Sequence, residues 1–204
     1  MKRNTLKKTI VFVMAFALVT GGMPVNVPGF LTGGTAIVAS AEGEVTISNL
    51  WIGGSAEITT DGEVSDIGQT SGTATVSTEG DAIVVELNNF SYTGAGKQTG
   101  NSQAAIYYAG TAPLIIKLTG TNTLTASNVT SDNSFEIYCV KGASVTINGG
   151  GSLTVTSGNA NSNSYALYIS GTLTISECKI NATAFPRISS QSAVPFAPAI
   201  AAQR

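Results

Sequence analysis

The chain has 204 residues, of which ten are basic, twelve acidic and none histidine. Without an imidazole, histidine-based triads and histidine metal centres are excluded. The acidic balance argues against nucleic acid, and against an anionic membrane surface, as a partner.

At the start of the chain, Lys2, Arg3, Lys7 and Lys8 precede an apolar run from Ile10 to Val19, and the small-residue triplet Ala39-Ser40-Ala41 comes later. Basic region, apolar region and A-x-A site together predict a secretory signal peptide over 1–41, cut before Glu42. An uncleaved membrane anchor is the alternative reading, because the stretch from Gly21 to Val38 makes the signal long. Four basic residues and no acid leave with the signal, so the remaining chain is more acidic than the whole. We expect a secreted or cell-surface protein, monomeric and free of the membrane once cleaved. Export would permit a disulfide between Cys139 and Cys178. The repeat register described below opposes it: Cys139 falls beside the apolar positions Tyr108 and Ile169, and Cys178 falls at a corner. Buried thiols acting as small apolar side chains are expected instead.

Residues 42–82 read as an N-terminal β cap. Glu44 to Ile52 alternates, with Val45, Ile47 and Leu50 inward, and stops at Gly53-Gly54. Two short strands are expected near Ala56–Thr59 and Thr73–Ser77, joined by a turn at Asp61-Gly62. This segment lacks the repeat that follows, as terminal units of stacked architectures do.

From Ile83 to Ala184 the chain repeats. Ala105-Ile106-Tyr107-Tyr108-Ala109-Gly110 recurs as Glu136-Ile137-Tyr138-Cys139-Val140-Lys141-Gly142 and as Ala166-Leu167-Tyr168-Ile169-Ser170-Gly171, so a tyrosine returns every 30 or 31 residues. A second phrase keeps step with it: Leu118 to Ser127 (LTGTNTLTAS) aligns without a gap on Ile147 to Thr156 (INGGGSLTVT). Val145 and Ile147, Leu153 and Val155, and Leu173 and Ile175 alternate with Thr or Ser, the period of a strand with one dry face. One such unit cannot bury its apolar row alone. Stacked units can, each residue sitting on its counterpart about 4.8 Å away. The expected fold is all-β, a short right-handed parallel β-helix (β-solenoid), with Gly149, Gly150 and Gly151 at a corner of positive φ. Thr93–Gln103, Ser127–Ser134 and Gly158–Ser164 have turn composition and are expected as loops aligned on one edge. Residues 185–204 carry three prolines and no alternation, and are expected to be an irregular tail.

The phrases Leu50-Trp51-Ile52-Gly53-Gly54, Leu118 to Leu124, Ile147 to Val155 and Ala166 to Ile175 resemble those of secreted bacterial β-helical surface proteins. These include the carbohydrate-binding domain family with polygalacturonate-binding, adhesin-like members. The resemblance covers roughly Val45 to Ala184. It implies an exported module, usually of a larger surface protein, that binds polysaccharide or cell-wall glycan. Members of the pectin-binding group associate with calcium through acidic clusters. Beyond Glu86 this chain has only Asp132, Glu136 and Glu177, so neither a metal nor a cofactor is expected.

The candidate binding residues follow from the alternation. Tyr107, Tyr138 and Tyr168 stand next to the inward Ile106, Ile137 and Leu167, and so point outward as a ladder. The ladder can stack on sugar faces, or it can be a structural stack of rings. Trp51, the lone tryptophan, is a binding candidate on the same grounds, or packing beneath the cap. No catalytic residue is assigned. A polysaccharide lyase or glycosidase needs a basic residue or two carboxylates at the bond being cut, and Asp132 with Glu136 is the only local pair in the repeat. The leading expectation is a non-catalytic glycan-binding module. A purely structural β-solenoid unit is the second reading, and a polysaccharide-degrading enzyme the third.

Overall fold

The computed structural model describes residues 45–127, 132–185 and 200–202. The expected signal peptide lies outside them, as does most of the tail. Fifteen strands and no helix occur among the described residues. The entry segment supplies β1 (Leu50–Ile52), β2 (Gly62–Glu63) and β3 (Gln69–Glu79). The first coil is β4 (Ala82–Gly94), β5 (Lys97–Thr99) and β6 (Ser102–Tyr108). The second is β7 (Leu114–Thr119), β8 (Thr121–Ala126) and β9 (Asn133–Cys139). The third is β10 (Val145–Asn148), β11 (Ser152–Thr156) and β12 (Asn163–Ile169). After it come β13 (Leu173–Ile175), β14 (Lys179–Thr183) and β15 (Ile200–Ala202).

Strands of successive coils pair in parallel, which makes the chain a β-solenoid with three faces. The first half of β4 stacks with β7, β10 and β13 on the first face. Its second half stacks with β8, β11 and β14 on the second. The third face stacks β6, β9, β12 and β15. Like sits on like: Ile83, Leu114, Val145 and Leu173 form one column, and Ile106, Ile137 and Leu167 another. Within the first three coils these residues are fully buried in one continuous core. The expected dry column is therefore present, and it fixes which residues face out.

Corners continue the ladder between strands. Gly151 N–H donates to Leu118 O at 3.0 Å, and Ser152 N–H to Gly120 O at 2.8 Å. Of the three corner glycines only Gly149 has positive φ, at 102°. Gly151 is required for a different reason, since a Cβ there would meet Gly120 O at 2.6 Å. In the preceding coil Asn122, not the Leu124 of the ungapped alignment, pairs with Leu153 and is buried, because the ladder register is two residues off that alignment. Its Oδ1 accepts from Phe90 N–H at 2.8 Å, and its amide donates to Thr119 O and Ser152 O, each at 3.2 Å. One side chain thereby joins three coils.

The strands that cover the first coil are arranged differently from the expected cap. The first coil has no coil before it, so its edges need other partners. β3 runs antiparallel along β4, after a tight turn at Gly80-Asp81. β1 runs antiparallel to Ile106–Tyr108 and covers half of β6. The other half of β6 is covered by β5, antiparallel to Ser102–Ala104, so Thr93–Gln103 is largely a hairpin and not a loop. Ala56–Thr59 is no strand. Only Ile58 is buried there, and it makes a single bridge to Leu50. Asp61-Gly62 does not join two strands either, because Gly62 already belongs to β2, paired with β3.

At the far end Ile175 is 42% exposed rather than buried, because it stands in the last row of its column. The tail was expected to be irregular, yet Ile200–Ala202 pairs in parallel with Leu167–Ile169. An open strand edge needs only a backbone partner, not the tyrosine phrase.

Candidate aromatic binding face

The outward residues of the third face form an aromatic cluster. Tyr107, Tyr138 and Tyr168 are in register on β6, β9 and β12, and all three are half-buried. Ring centroids are 5.5 Å apart for Tyr107–Tyr138 and 5.4 Å for Tyr138–Tyr168. Trp51 on β1 extends the row, 5.3 Å from Tyr107. The structure thus brings together all four residues picked out from the sequence.

Two further rings belong to the same face, and strict alternation hides them. Phe135 and Tyr165 lie three residues before Tyr138 and Tyr168, which by period two places them inside. The strands are irregular at this point: ladder pairing skips Ala105, Glu136 and Ala166. Ala105 and Ile106 are both core residues, as are Ala166 and Leu167. Two successive inward residues reverse the parity, so Ala104, Phe135 and Tyr165 turn outward. Phe135 stacks on Tyr138 at 4.1 Å with planes 7° apart, and on Tyr165 at 5.6 Å. Tyr165 meets Tyr168 edge-on at 5.9 Å. The signal that could have found them is the pair of small residues, Ala104-Ala105, standing where the next coil has Phe135-Glu136.

This packing decides what the rings can do. Phe135 lies parallel to both Tyr138 and Tyr165. The indole of Trp51 has Tyr107 beside it and the Lys97 ammonium 4.6 Å from its centroid. Faces of Phe135, Tyr138 and Tyr165 are therefore taken up by one another and a face of Trp51 by a cation, each ring pair being worth about 0.5–1.5 kcal/mol. The phenol hydroxyls of Tyr107, Tyr138, Tyr165 and Tyr168 are not used in this way. Burial, together with the neighbouring phenols of Tyr107 and Tyr168, raises the Tyr138 hydroxyl above its ordinary value. It is a neutral donor and acceptor. The face thus presents a row of phenols, one per coil, on an apolar platform. The inward Tyr108 differs: its hydroxyl donates to Ala112 O at 2.9 Å, inside the stack.

The two carboxylates paired in the sequence stand in different surroundings. Asp132 accepts from the Asn101 amide at 2.8 Å. Glu136 occupies the irregular position between Ala105 and Ala166 and is wholly buried. Neither of its carboxyl oxygens has a hydrogen-bond partner among the described residues. Burial holds its carboxyl well above the ordinary range, and the nearby Ala126 backbone opposes this only in part. Glu136 is thus enclosed in the stack, whereas Asp132 belongs to an exposed contact with Asn101. Cys139 lies in the core, its thiol pushed up to about 12 by burial. Cys178 sits at the corner between β13 and β14, and both thiols are free. No cluster of three or more metal-ligating side chains occurs among the described residues.

Outward Thr and Ser form a second regular surface. Ser91, Thr123, Thr154 and Asn181 align on the second face, beside Thr93, Thr125, Thr156 and Thr183. On the first face Thr146 and Thr174 pair in the same way. Comparisons with protein-family profiles, with curated proteins and with solved structures found no match to this chain.

Proposed function

We propose that this protein is a non-catalytic, exported module that binds polysaccharide through the aromatic outer face of its third stack of strands. The observation that carries the reading is the register of Tyr107, Tyr138 and Tyr168, which offers one phenol hydroxyl per coil along the solenoid axis. Sugar hydroxyls would bond to these phenols while apolar sugar edges rest on the ring rims. Each contact is weak, and affinity grows by repetition along a polymer that follows the axis. A panel of plant and bacterial cell-wall glycans tests this. Retention by at least one polymer is expected, and replacing Tyr107, Tyr138 and Tyr168 together by Phe should remove it while leaving the fold intact. Failure of the unaltered protein to bind any polymer would sink the reading.

One observation favours a second reading, in which the face is only a structural ladder. The closest ring pair, Phe135 and Tyr138, is packed as a core would be. Under that reading the Phe variant keeps every property of the parent, and Ala at the same three positions lowers stability alone.

A further inference from the structure

The same tyrosines support a chemistry independent of any glycan. We propose that Tyr138 is an oxidative cross-linking site, forming a dityrosine bond to Tyr107 or Tyr168 of an adjacent coil when a one-electron oxidant reaches this face. Tyr138 is the middle rung. Its ring lies 5.5 Å from that of Tyr107, tilted by 37°, and 5.4 Å from that of Tyr168, at 71°. Both partners are its direct neighbours across the parallel ladder, so the backbone holds the rings together without any conformational search. All three rings are half-buried, open enough to lose a proton to water and in contact with one another.

Trp51 extends the row as a fourth oxidisable ring, 5.3 Å from Tyr107. The Lys97 ammonium 4.6 Å from its centroid disfavours a radical cation on the indole. A tyrosyl radical carries no charge once its proton has left, so the oxidising equivalent settles on the phenols.

The step balances as follows. Two phenols each give up one electron and one proton and become neutral phenoxyl radicals. A carbon–carbon bond forms between their ortho positions, and the hydrogen on each joined carbon moves to its phenol oxygen. With hydrogen peroxide as oxidant, through a haem peroxidase, the two electrons and two protons reduce one peroxide to two waters. The product ties neighbouring coils covalently at the surface, in a chain whose two cysteines are both free.

Dilute full-length protein treated with hydrogen peroxide and a haem peroxidase, with no glycan present, is the test. We expect blue dityrosine fluorescence from monomeric protein and a mass lower by two hydrogens. A peptide map should join the Tyr138 peptide to that of Tyr107 or Tyr168. Tyr138→Phe keeps the ring contacts and should lose most of the product at an unchanged melting temperature, whereas Tyr165→Phe should keep it. Cross-links found only between molecules, only between Tyr165 and Tyr168, or undiminished in Tyr138→Phe would overturn the proposal. Glycan retention has no part in the readout, so either idea can fail without the other.

Discussion

Glu136 and Asn122 are both polar side chains inside the stack, and they have opposite consequences. Neither carboxyl oxygen of Glu136 has a well-aligned hydrogen bond among the described residues, and burial raises the carboxyl well above the ordinary value of 4.5, opposed in part by the Ala126 backbone. In that situation the unfolded chain releases the proton before the folded one does. The stability the protonated group permits is fully present below the unfolded value and is lost as pH rises through the folded value. Glu136→Gln should therefore flatten the fall in stability as pH rises from the ordinary carboxyl value of 4.5 through the raised folded-state value, measured as denaturant midpoints across the range. An unchanged slope would show that the carboxyl is relieved by some other group. Asn122, by contrast, is fully satisfied by three backbone groups from three coils. Asn122→Ala leaves Phe90 N–H buried without an acceptor and should cost about 2–4 kcal/mol in denaturant unfolding.

The corners are the elements that set coil length, and their glycines are not equivalent. Gly120 has φ of 68°, and a Cβ there would run into the Asn89 side chain, whose Oδ1 also receives Thr121 N–H at 3.2 Å. Gly150 has neither positive φ nor any atom within 4 Å of the added carbon. Gly120→Ala should destabilise by about 1–3 kcal/mol, while Gly150→Ala stays within about 0.5 kcal/mol of the parent. Thermal melts of the two single variants separate a required corner glycine from a permitted one. The ion pair between Lys117 and Glu79, at 2.6 Å, links the cap strand β3 to the second coil. Both side chains are well exposed, so it contributes about 0–1 kcal/mol.

For the whole molecule, the asymmetry of its two ends matters most. One end is closed by antiparallel strands, β3 over β4 and β1 with β5 over β6. Removal of β1 and β3 would expose the ladder groups of β4 and of Ile106–Tyr108 in β6 together with a row of apolar side chains, a template for intermolecular pairing. A chain beginning at Ala82 should therefore aggregate under conditions where one beginning at Glu42 stays dispersed, as followed by light scattering. Equal dispersion of the two would mean that the cap does not protect the stack.

Much of this architecture is written in the residue order, because a stacked unit repeats its own spacing. The recurrence of Ile106-Tyr107, Ile137-Tyr138 and Leu167-Tyr168 was enough to place the dry column and the outward rings, since parity within a strand is local. What the order of residues could not show depends on contacts between distant segments. The strand irregularity at Ala105, Glu136 and Ala166 turns Phe135 and Tyr165 outward and Glu136 inward, against the local period. The hairpins of the cap likewise exist because the first coil has an edge to cover, a need that arises only once the coils are stacked. Local alternation determined the column; the packing of one coil on the next decided which rings meet and which of their atoms remain free.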